Sequence, residues 1–487
     1  MKRFLVLALL AAFVLGAGVA NAATTLKTSG EMTFNYGWWD NTNMFDAEGD
    51  RGQEDDLMAS QRFRAYFDWS ASESLRGVFG VEFGTTIWGV PTGGTNGAGA
   101  NAGTDLDGDE RAIEVKHAYM DFTWPNTGIM FRMGLQPIAL PGQFGSPVLD
   151  ADAAGILAQY KFNDMISGAL GWFRPGNLDA GTSEIGGSSG NKNDEVDMFA
   201  LLLPIKADGV EFTPWAALAL HGQNASGGGP LSAGLAPRNA SAPIGDDLEV
   251  WWVGGSLKLT MFAPFTFYAD LIYGNQDGSN NSQNDREGWF FDVAADYKMD
   301  MVTPQVFFMY STGEDDDVAD GSERMPTVGN EVRGGNSFAG NLSFTSFGFG
   351  GSSANLSDYD AYLDGSGCSG IWALGLKLKD FSFLEGLKHT FTVAYGQGTN
   401  DADGTKKYGI EAGLTDEDSF WEVNLDSTYA IYENLTAYVE MAYLNVDLDK
   451  DTWMASGSTR NPFSGTRIDV DKTEAAWKLA LCLKYKF

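Results

Sequence analysis

Few side chains in this 487-residue chain have the types and spacing that covalent chemistry needs. The three histidines, His117, His221 and His389, lie far apart, and no two of them have the spacing of zinc ligands. We can locate no cluster of Ser and His, no catalytic carboxylate pair and no glycine-rich phosphate-binding loop. The sequence therefore indicates that the protein is not an enzyme.

Two runs of alternating aspartates have the spacing of residues that could hold a cation. They echo calcium-binding loops but lack the full EF-hand pattern, and solvated loop charge is the alternative for both. Ca²⁺ or Mg²⁺ at acidic loops is the only cofactor that the residues suggest. The candidate ligands are Asp105, Asp107 and Asp109 in the first run and Asp447, Asp449 and Asp451 in the second.

Basic side chains recur at alternate positions between apolar ones. Arg62 and Arg64 flank Phe63, and Arg132 lies between Phe131 and Met133. Successive side chains of a strand point to opposite faces, so these guanidinium groups would share one polar face. Lys116 joins that face if the strand has a bulge near Lys116 and His117, where the apolar phase changes. Such a face could filter charged solutes.

The segments that must position these residues alternate between apolar and polar side chains along almost the whole chain, which predicts strands. The first five are expected around 25–39, 62–69, 75–87, 113–124 and 129–135. We predict eighteen strands, with sixteen as the alternative, because 313–368 and 406–414 are hard to assign. The other thirteen are expected near 156–163, 166–174, 195–206, 210–221, 247–260, 264–275, 287–299, 302–312, 369–380, 387–399, 419–432, 434–448 and 474–487.

The connections between these strands alternate between short and long. Two-residue turns such as 163–164 and 300–301 contrast with loops such as 89–110 and 313–368. Aromatic residues fall at both ends of the strands, for example Trp38 and Trp88 at the long-loop ends and Trp69 and Trp124 at the short-turn ends. This asymmetry and the two aromatic girdles predict an all-β, transmembrane antiparallel β-barrel.

The N-terminal residues predict export. Lys2 and Arg3 precede an apolar run over 4–19, and Ala20-Asn21-Ala22 provides a small-residue cleavage site. We expect a cleaved signal peptide over 1–22 and one barrel domain over 23–487. The alternative is a membrane anchor, but the apolar run is short for one and ends in small residues.

Charge and composition narrow the partners. The formal charge is −33, so a nucleic-acid partner is not expected, whereas cations should gather around the chain. Apolar residues make up 44% of the chain although the mean hydropathy is only −0.18. This balance is typical of a barrel with half-apolar strands and polar loops.

Two local patterns resemble a known family. The half-polar last strand that closes on Phe487 resembles the terminal strand of outer-membrane barrels. Residues 131–136 and Pro141-Gly142-Gln143-Phe144-Gly145 resemble the strand and third loop of trimeric general porins, although the usual acidic residue of that loop element is missing. More narrowly, the chain resembles the homotrimeric porins of sulfate-reducing bacteria. Its eighteen predicted strands depart from the usual sixteen.

The resemblance implies a water-filled channel for passive diffusion of small hydrophilic solutes and ions across the outer membrane of a Gram-negative bacterium. It implies a homotrimer in contact with lipopolysaccharide, and a loop over 137–155 that folds inward to narrow the pore. It also implies a pore constriction at which basic wall residues face loop carboxylates and create a transverse field. These residues are Arg62, Arg64, Lys116 and Arg132 on the wall and Asp150 and Asp152 on the loop.

Other interpretations stay open. The barrel could be a substrate-specific porin for sugars or an anion, or a surface structural protein or adhesin that forms no channel. The arginines could merely line a solvated lumen. Cys368 and Cys482 could form a disulfide in an oxidising compartment, but their predicted strands are not neighbours.

Overall fold

The fold is described from a computed structural model, which covers residues 24–40, 56–88, 113–177, 195–222, 247–279, 282–317, 321–328, 370–408, 413–455 and 475–487. The predicted signal peptide and the first aspartate run, Asp105 to Asp109, lie outside these residues. Within the described part, no helix is long and apolar enough to cross a membrane.

In the described ranges, nineteen strand segments form a single antiparallel sheet. The first ten are β1 Thr25–Asp40, β2 Asp56–Ser72, β3 Leu75–Ile87, β4 Ile113–Thr123, β5 Met130–Ala139, β6 Asp150–Lys161, β7 Ser167–Asn177, β8 Glu195–Leu202, β9 Ile205–Ala207 and β10 Val210–His221. The others are β11 Leu248–Leu259, β12 Phe265–Gly278, β13 Arg286–Tyr297, β14 Thr303–Ser311, β15 Ile371–Phe381, β16 Leu387–Gly398, β17 Ser419–Tyr432, β18 Leu435–Asp447 and β19 Ala476–Lys486. Two short helices, α1 Ala402–Tyr408 and α2 Lys450–Ala455, and a 3₁₀ turn, Ser282–Asn284, accompany them.

The sheet closes into a barrel of eighteen strands, as predicted. β8 and β9 pair with successive parts of β10 and so occupy one position, interrupted near Pro204, which has no N–H for the ladder. β1 pairs with β2 on one side and with β19 on the other. The ladder between β1 and β19 runs from the residue pair Glu31 and Lys486 to the residue pair Asp40 and Trp477. Closure leaves neither β1 nor β19 as an open sheet edge.

The two faces of the sheet differ as the alternation predicts. On the outer face, large apolar side chains such as Leu170, Leu201 and Leu374 are more than half exposed, as lipid contact requires. The inner face carries Arg62, Arg64 and Arg132, in register with Thr33, Glu31 and Asp121 respectively. The predicted bulge is confirmed, because Gly80 pairs with His117 and the next residue pairs with Val115, which leaves Lys116 as the extra residue.

β5 and β6 leave the barrel wall at their outer ends. β5 pairs with β4 only as far as Leu135, and β6 pairs with β7 only from Gly155 onward. Beyond these points, residues 136–139 pair with residues 150–153. We call residues 136–154 the inner hairpin. The predicted loop over 137–155 is therefore shorter than expected, since only residues 140–149 connect β5 and β6. Asp150 and Asp152 belong to β6, because the ladder between β5 and β6 extends into the hairpin.

Gly134 marks the point of departure. Its φ is 126°, and a Cβ there would lie 2.2 Å from the carbonyl oxygen of Ala118. This conformation and this approach require glycine.

We expect Gly134→Ala to destabilise the barrel by about 1–3 kcal/mol, because the new methyl group forces backbone strain at the hairpin's root. The measurement is the free energy of unfolding in a urea titration, in which gel mobility distinguishes the folded from the unfolded form. Gly77→Ala is the control, because nothing lies within 4 Å of a Cβ at that position of β3. Equal destabilisation by the two substitutions would contradict the assignment.

Candidate functional site: the pore constriction

The inner hairpin folds into the lumen and reaches the wall at β11 and β12. The Gln143 backbone N–H donates to Asp270 Oδ2 at 2.5 Å, and Gln143 Nε2 donates to Ser256 Oγ at 2.7 Å. The ring of Phe144 lies 5.8 Å from that of Tyr268. The predicted inward-folded constriction loop is therefore present, with Gln143 of the predicted porin-like element at its tip.

One side of the hairpin is sealed by apolar packing. The buried hairpin residues Ile138, Leu140, Val148 and Leu149 share a cluster with side chains of the inner face of β7, β8, β10 and β11. These wall residues are Phe173, Met198, Trp215 and Trp252. The packing fills the part of the lumen between the hairpin and this wall.

A second segment, distant in the sequence, also holds the hairpin. We call residues 321–328, which lie between β14 and β15, the inner segment. The Val328 N–H donates to the Val148 carbonyl at 2.9 Å, and Trp252 Nε1 donates to the Pro326 carbonyl at 2.7 Å. Met325 and Val328 are buried in the same apolar cluster. The hairpin is thus fixed by both the barrel wall and a second inward segment.

The wall of β2–β5 carries the predicted arginines, and each lies beside a carboxylate of a neighbouring strand. Arg64 hydrogen-bonds Glu82, and Arg62 lies 3.9 Å from Glu31. Arg132 donates two hydrogen bonds to Asp121, at 2.7 and 3.0 Å. Partnered in this way, charged groups can stay ionised in a partly buried site.

Sequence reasoning overlooked Arg76 on this wall. It donates to Asp121 at 3.0 Å and to Asp68 at 3.0 Å, so Asp121 joins two arginines from different strands. The signal was available, because Arg76 has the same phase in β3 as Glu82.

The bulge in β4 connects this wall to the inner hairpin. Lys116 Nζ donates to Asp152 Oδ2, and His117 Nε2 lies 3.0 Å from Asp152 Oδ1. The bulge is what lets two consecutive residues reach one carboxylate. Of the predicted set, Lys116 and Asp152 are therefore in contact, whereas Asp150 pairs in register with Ala139 at the inner end of β6.

Aromatic rings line the same wall. His117 lies 5.3 Å from the Tyr66 ring and 6.0 Å from the Tyr119 ring, and the Arg132 guanidinium lies 4.4 Å above Tyr119. The wall thus offers stacking surfaces as well as charge.

The second aspartate run has a structural role at Asp449. Asp449 Oδ2 accepts hydrogen bonds from Thr452 N–H and Oγ1 at 2.7 and 2.8 Å, which caps the start of α2. Asp447 ends β18 and Asp451 lies in α2. In the described ranges, no three or more His, Cys, Asp or Glu side chains lie close enough to hold a metal ion.

Cys482 is a buried free thiol in β19, in register with Asn35 on the inner face. Cys368 lies outside the described residues.

The sequence profile of the Gram-negative porin family matches residues 7–331, so the chain belongs to this family. It is an outer-membrane channel for small hydrophilic solutes. No curated protein sequence matches the chain.

Solved structures share the fold at low sequence identity. Acinetobacter baumannii OccAB4 has a TM-score of 0.50 at 10% identity, over 95% of this chain and 98% of that one. A. baumannii OccAB1 has a TM-score of 0.49 at 12% identity, over 94% and 97% of the two chains. Pseudomonas aeruginosa OpdQ has a TM-score of 0.48 at 11% identity, over 95% and 98%.

Glu323 in the inner segment carries a carboxyl group with a raised pKa. Burial and the nearby Asp315 and Glu314 raise the pKa of Glu323 to about 7, although its carboxylate accepts the Asp315 N–H at 2.9 Å. Because the pKa is raised on folding, its stabilising contribution is full below the unfolded pKa and is lost as pH rises through about 7.

We therefore expect the wild-type barrel to lose thermal stability between pH 5 and pH 8, and Glu323→Gln to remove part of that loss. The measurement is the unfolding midpoint at both pH values. Glu385→Gln, in an exposed turn, is the control and should keep the wild-type difference. An unchanged difference in Glu323→Gln would show that this carboxyl is not the titrating group.

Proposed function

We propose that this porin is a general diffusion channel whose selectivity is set between the inner hairpin and the wall of β2–β5. The observation that carries the proposal is the position of the inner hairpin. Its Gln143 is hydrogen-bonded to Asp270 of the wall, its Asp152 is in contact with His117 of the wall, and one of its sides is covered by apolar packing. A barrel of eighteen strands is too wide to select solutes unless something narrows it. Solutes then pass along the charged wall, and no side chain does covalent chemistry.

The pairing of charges on this wall bears on ion selectivity. Five cationic side chains there each lie within salt-bridge distance of a carboxylate, so the wall has little net charge. The overall charge of −33 then dominates, and we propose a preference for cations. The cationic groups are Arg62, Arg64, Arg76, Lys116 and Arg132, and their partners are Glu31, Glu82, Asp68, Asp121 and Asp152.

We further propose that the chain assembles as a homotrimer, as in the porins of sulfate-reducing bacteria that it resembles. The signal peptide over 1–22 belongs to the same proposal, as does contact of the barrel with lipopolysaccharide. The resemblance of residues 131–145 to the third-loop region of trimeric porins supports the assembly.

A substrate-specific porin is the second candidate, and one observation favours it. Tyr66, His117 and Tyr119 form a row of rings beside Arg132. Rings next to hydrogen-bonding charged groups suit sugars, which stack their apolar faces and bond through their hydroxyl groups.

Single-channel recording in a planar lipid bilayer with a salt gradient tests these proposals. We expect uniform open steps that close in thirds under voltage, and a reversal potential of the sign that cation preference gives. Saturable block by a sugar, absent in Tyr119→Ala, would favour the specific channel. Folded protein that never conducts would contradict both and support a surface structural role.

Asp121→Asn should shift the reversal potential toward anions, because Arg76 and Arg132 then lack their shared carboxylate. The same recording with a salt gradient measures it. Asp164→Asn is the control, since it removes one negative charge from a side chain that is 98% exposed in a short turn. Equal shifts in the two variants would mean that total charge, and not the wall, sets selectivity.

A further inference from the structure

Two buried carboxyl groups face each other where the tip of the inner hairpin meets the barrel wall. Asp270 of β12 and Asp292 of β13 lie directly opposite each other in the strand register, and each residue is only 2% exposed. Their carboxyl groups are within hydrogen-bonding distance of each other. Two buried carboxylates at this separation cannot both stay ionised, because the like charges repel, so a pair of this kind shares one proton.

Asp270 is the member of the pair that receives hydrogen bonds from the hairpin. The Gln143 N–H donates to Asp270 Oδ2 at 2.5 Å, and the Phe144 N–H donates to the same carboxylate. The Ser256 hydroxyl is a third donor, and its oxygen accepts a hydrogen bond from Gln143 Nε2 at 2.7 Å. Donors of this kind stabilise a negative charge. Asp270 is therefore the ionised member.

Asp292 has the opposite surroundings. On the side away from Asp270 it lies opposite Met309 of β14. Phe290 and Ala294, its neighbours on the same face of β13, are buried and apolar. Asp292 Oδ1 has no hydrogen-bond partner among the described residues. A carboxyl group in such surroundings is more stable with its proton than without it.

The other charged groups on this part of the inner face have partners of their own. Lys379 of β15 donates to Asp296 at 2.8 Å, and Lys377 of the same strand is attracted to Asp426 of β17. Lys258 of β11 lies over a tyrosine ring. In the described ranges, none of these lysines forms an ion pair with Asp270 or Asp292. A proton, and not a basic side chain, therefore relieves the repulsion within the pair.

We propose that Asp292 is a positioning residue for the constriction. It keeps its proton and donates a hydrogen bond to Asp270, which leaves Asp270 ionised and able to hold the hairpin tip through Gln143. When Asp292 gives its proton to water at alkaline pH, two like charges face each other, and their repulsion weakens the hold on the tip. The inference rests on the proposed diffusion channel, because a mobile tip makes the width of the passage fluctuate.

The first test locates the proton and does not need conductance. A protonated carboxyl group gives an infrared carbonyl band that a carboxylate lacks. We expect this band at pH 7 in the difference between the spectra of the full-length wild type and Asp292→Asn. The control is Asp208→Asn, which removes an exposed carboxyl group from a short turn and should give no such difference. Heat-modifiable gel mobility shows that each protein is folded. A difference spectrum of Asp292→Asn without the band would overturn the proposal.

The second test compares single-channel recordings at pH 7 and pH 10. We expect the open-channel current of the wild type to become noisier as the pH rises. Asp292→Asn should lose this rise, because its amide N–H still donates to Asp270 and cannot ionise. Asp270→Asn should be noisy at both pH values, because it lacks the charge that holds Gln143.

Equal behaviour of the two Asn variants would show that the pair has only a packing role and would overturn the proposal. A pH dependence that a chelator abolishes would assign the pair to a bound metal ion and would overturn it as well. If the folded wild type never conducts, the proposed channel fails, whereas the infrared band still decides which carboxyl group holds the proton.

Discussion

The structure depends on one constraint: a backbone that crosses hydrocarbon must satisfy every N–H and C=O within the protein. The chain meets this constraint by pairing β1 with β19, which closes the sheet and removes its edges. Closure through eighteen strands then creates a lumen too wide to discriminate solutes. The inner hairpin and the inner segment lie inside this wide lumen and narrow it.

The hairpin departs from the wall without leaving its own backbone unpaired. Residues 136–139 and 150–153 keep their mutual ladder after they lose β4 and β7. Its apolar side chains cover Trp215 and Trp252, which would otherwise face a watery lumen at a cost of about 25 cal/mol per Å² of apolar area. The same departure places Asp152 against Lys116 and His117, so the anchor of the hairpin is also part of the charged wall.

Several charged groups inside the barrel are paired with a group of opposite charge. Lys478 and Glu440 are 3.1 Å apart on neighbouring strands, and each side chain is only 2% exposed. A buried charge of this kind is tolerated when its partner is close, whereas loss of one partner leaves an uncompensated charge. The arginines of β2, β3 and β5 follow the same rule, which is why a wall that looks basic in sequence is nearly neutral in structure.

The sequence by itself determined the barrel, its eighteen strands, the bulge at Lys116 and the inner-face phase of Arg62, Arg64 and Arg132, because alternation is a local property of each strand. It could not show that Trp215 and Trp252 face inward, since both faces of their strands are apolar there. Nor could it show that Asp152 belongs to a strand and bonds to β4, or that residues 321–328 hold the hairpin. Those contacts join segments far apart in the chain, and only closure of the barrel brings them together. Tertiary structure therefore decided the constriction, because its geometry depends on which distant side chains meet inside the lumen.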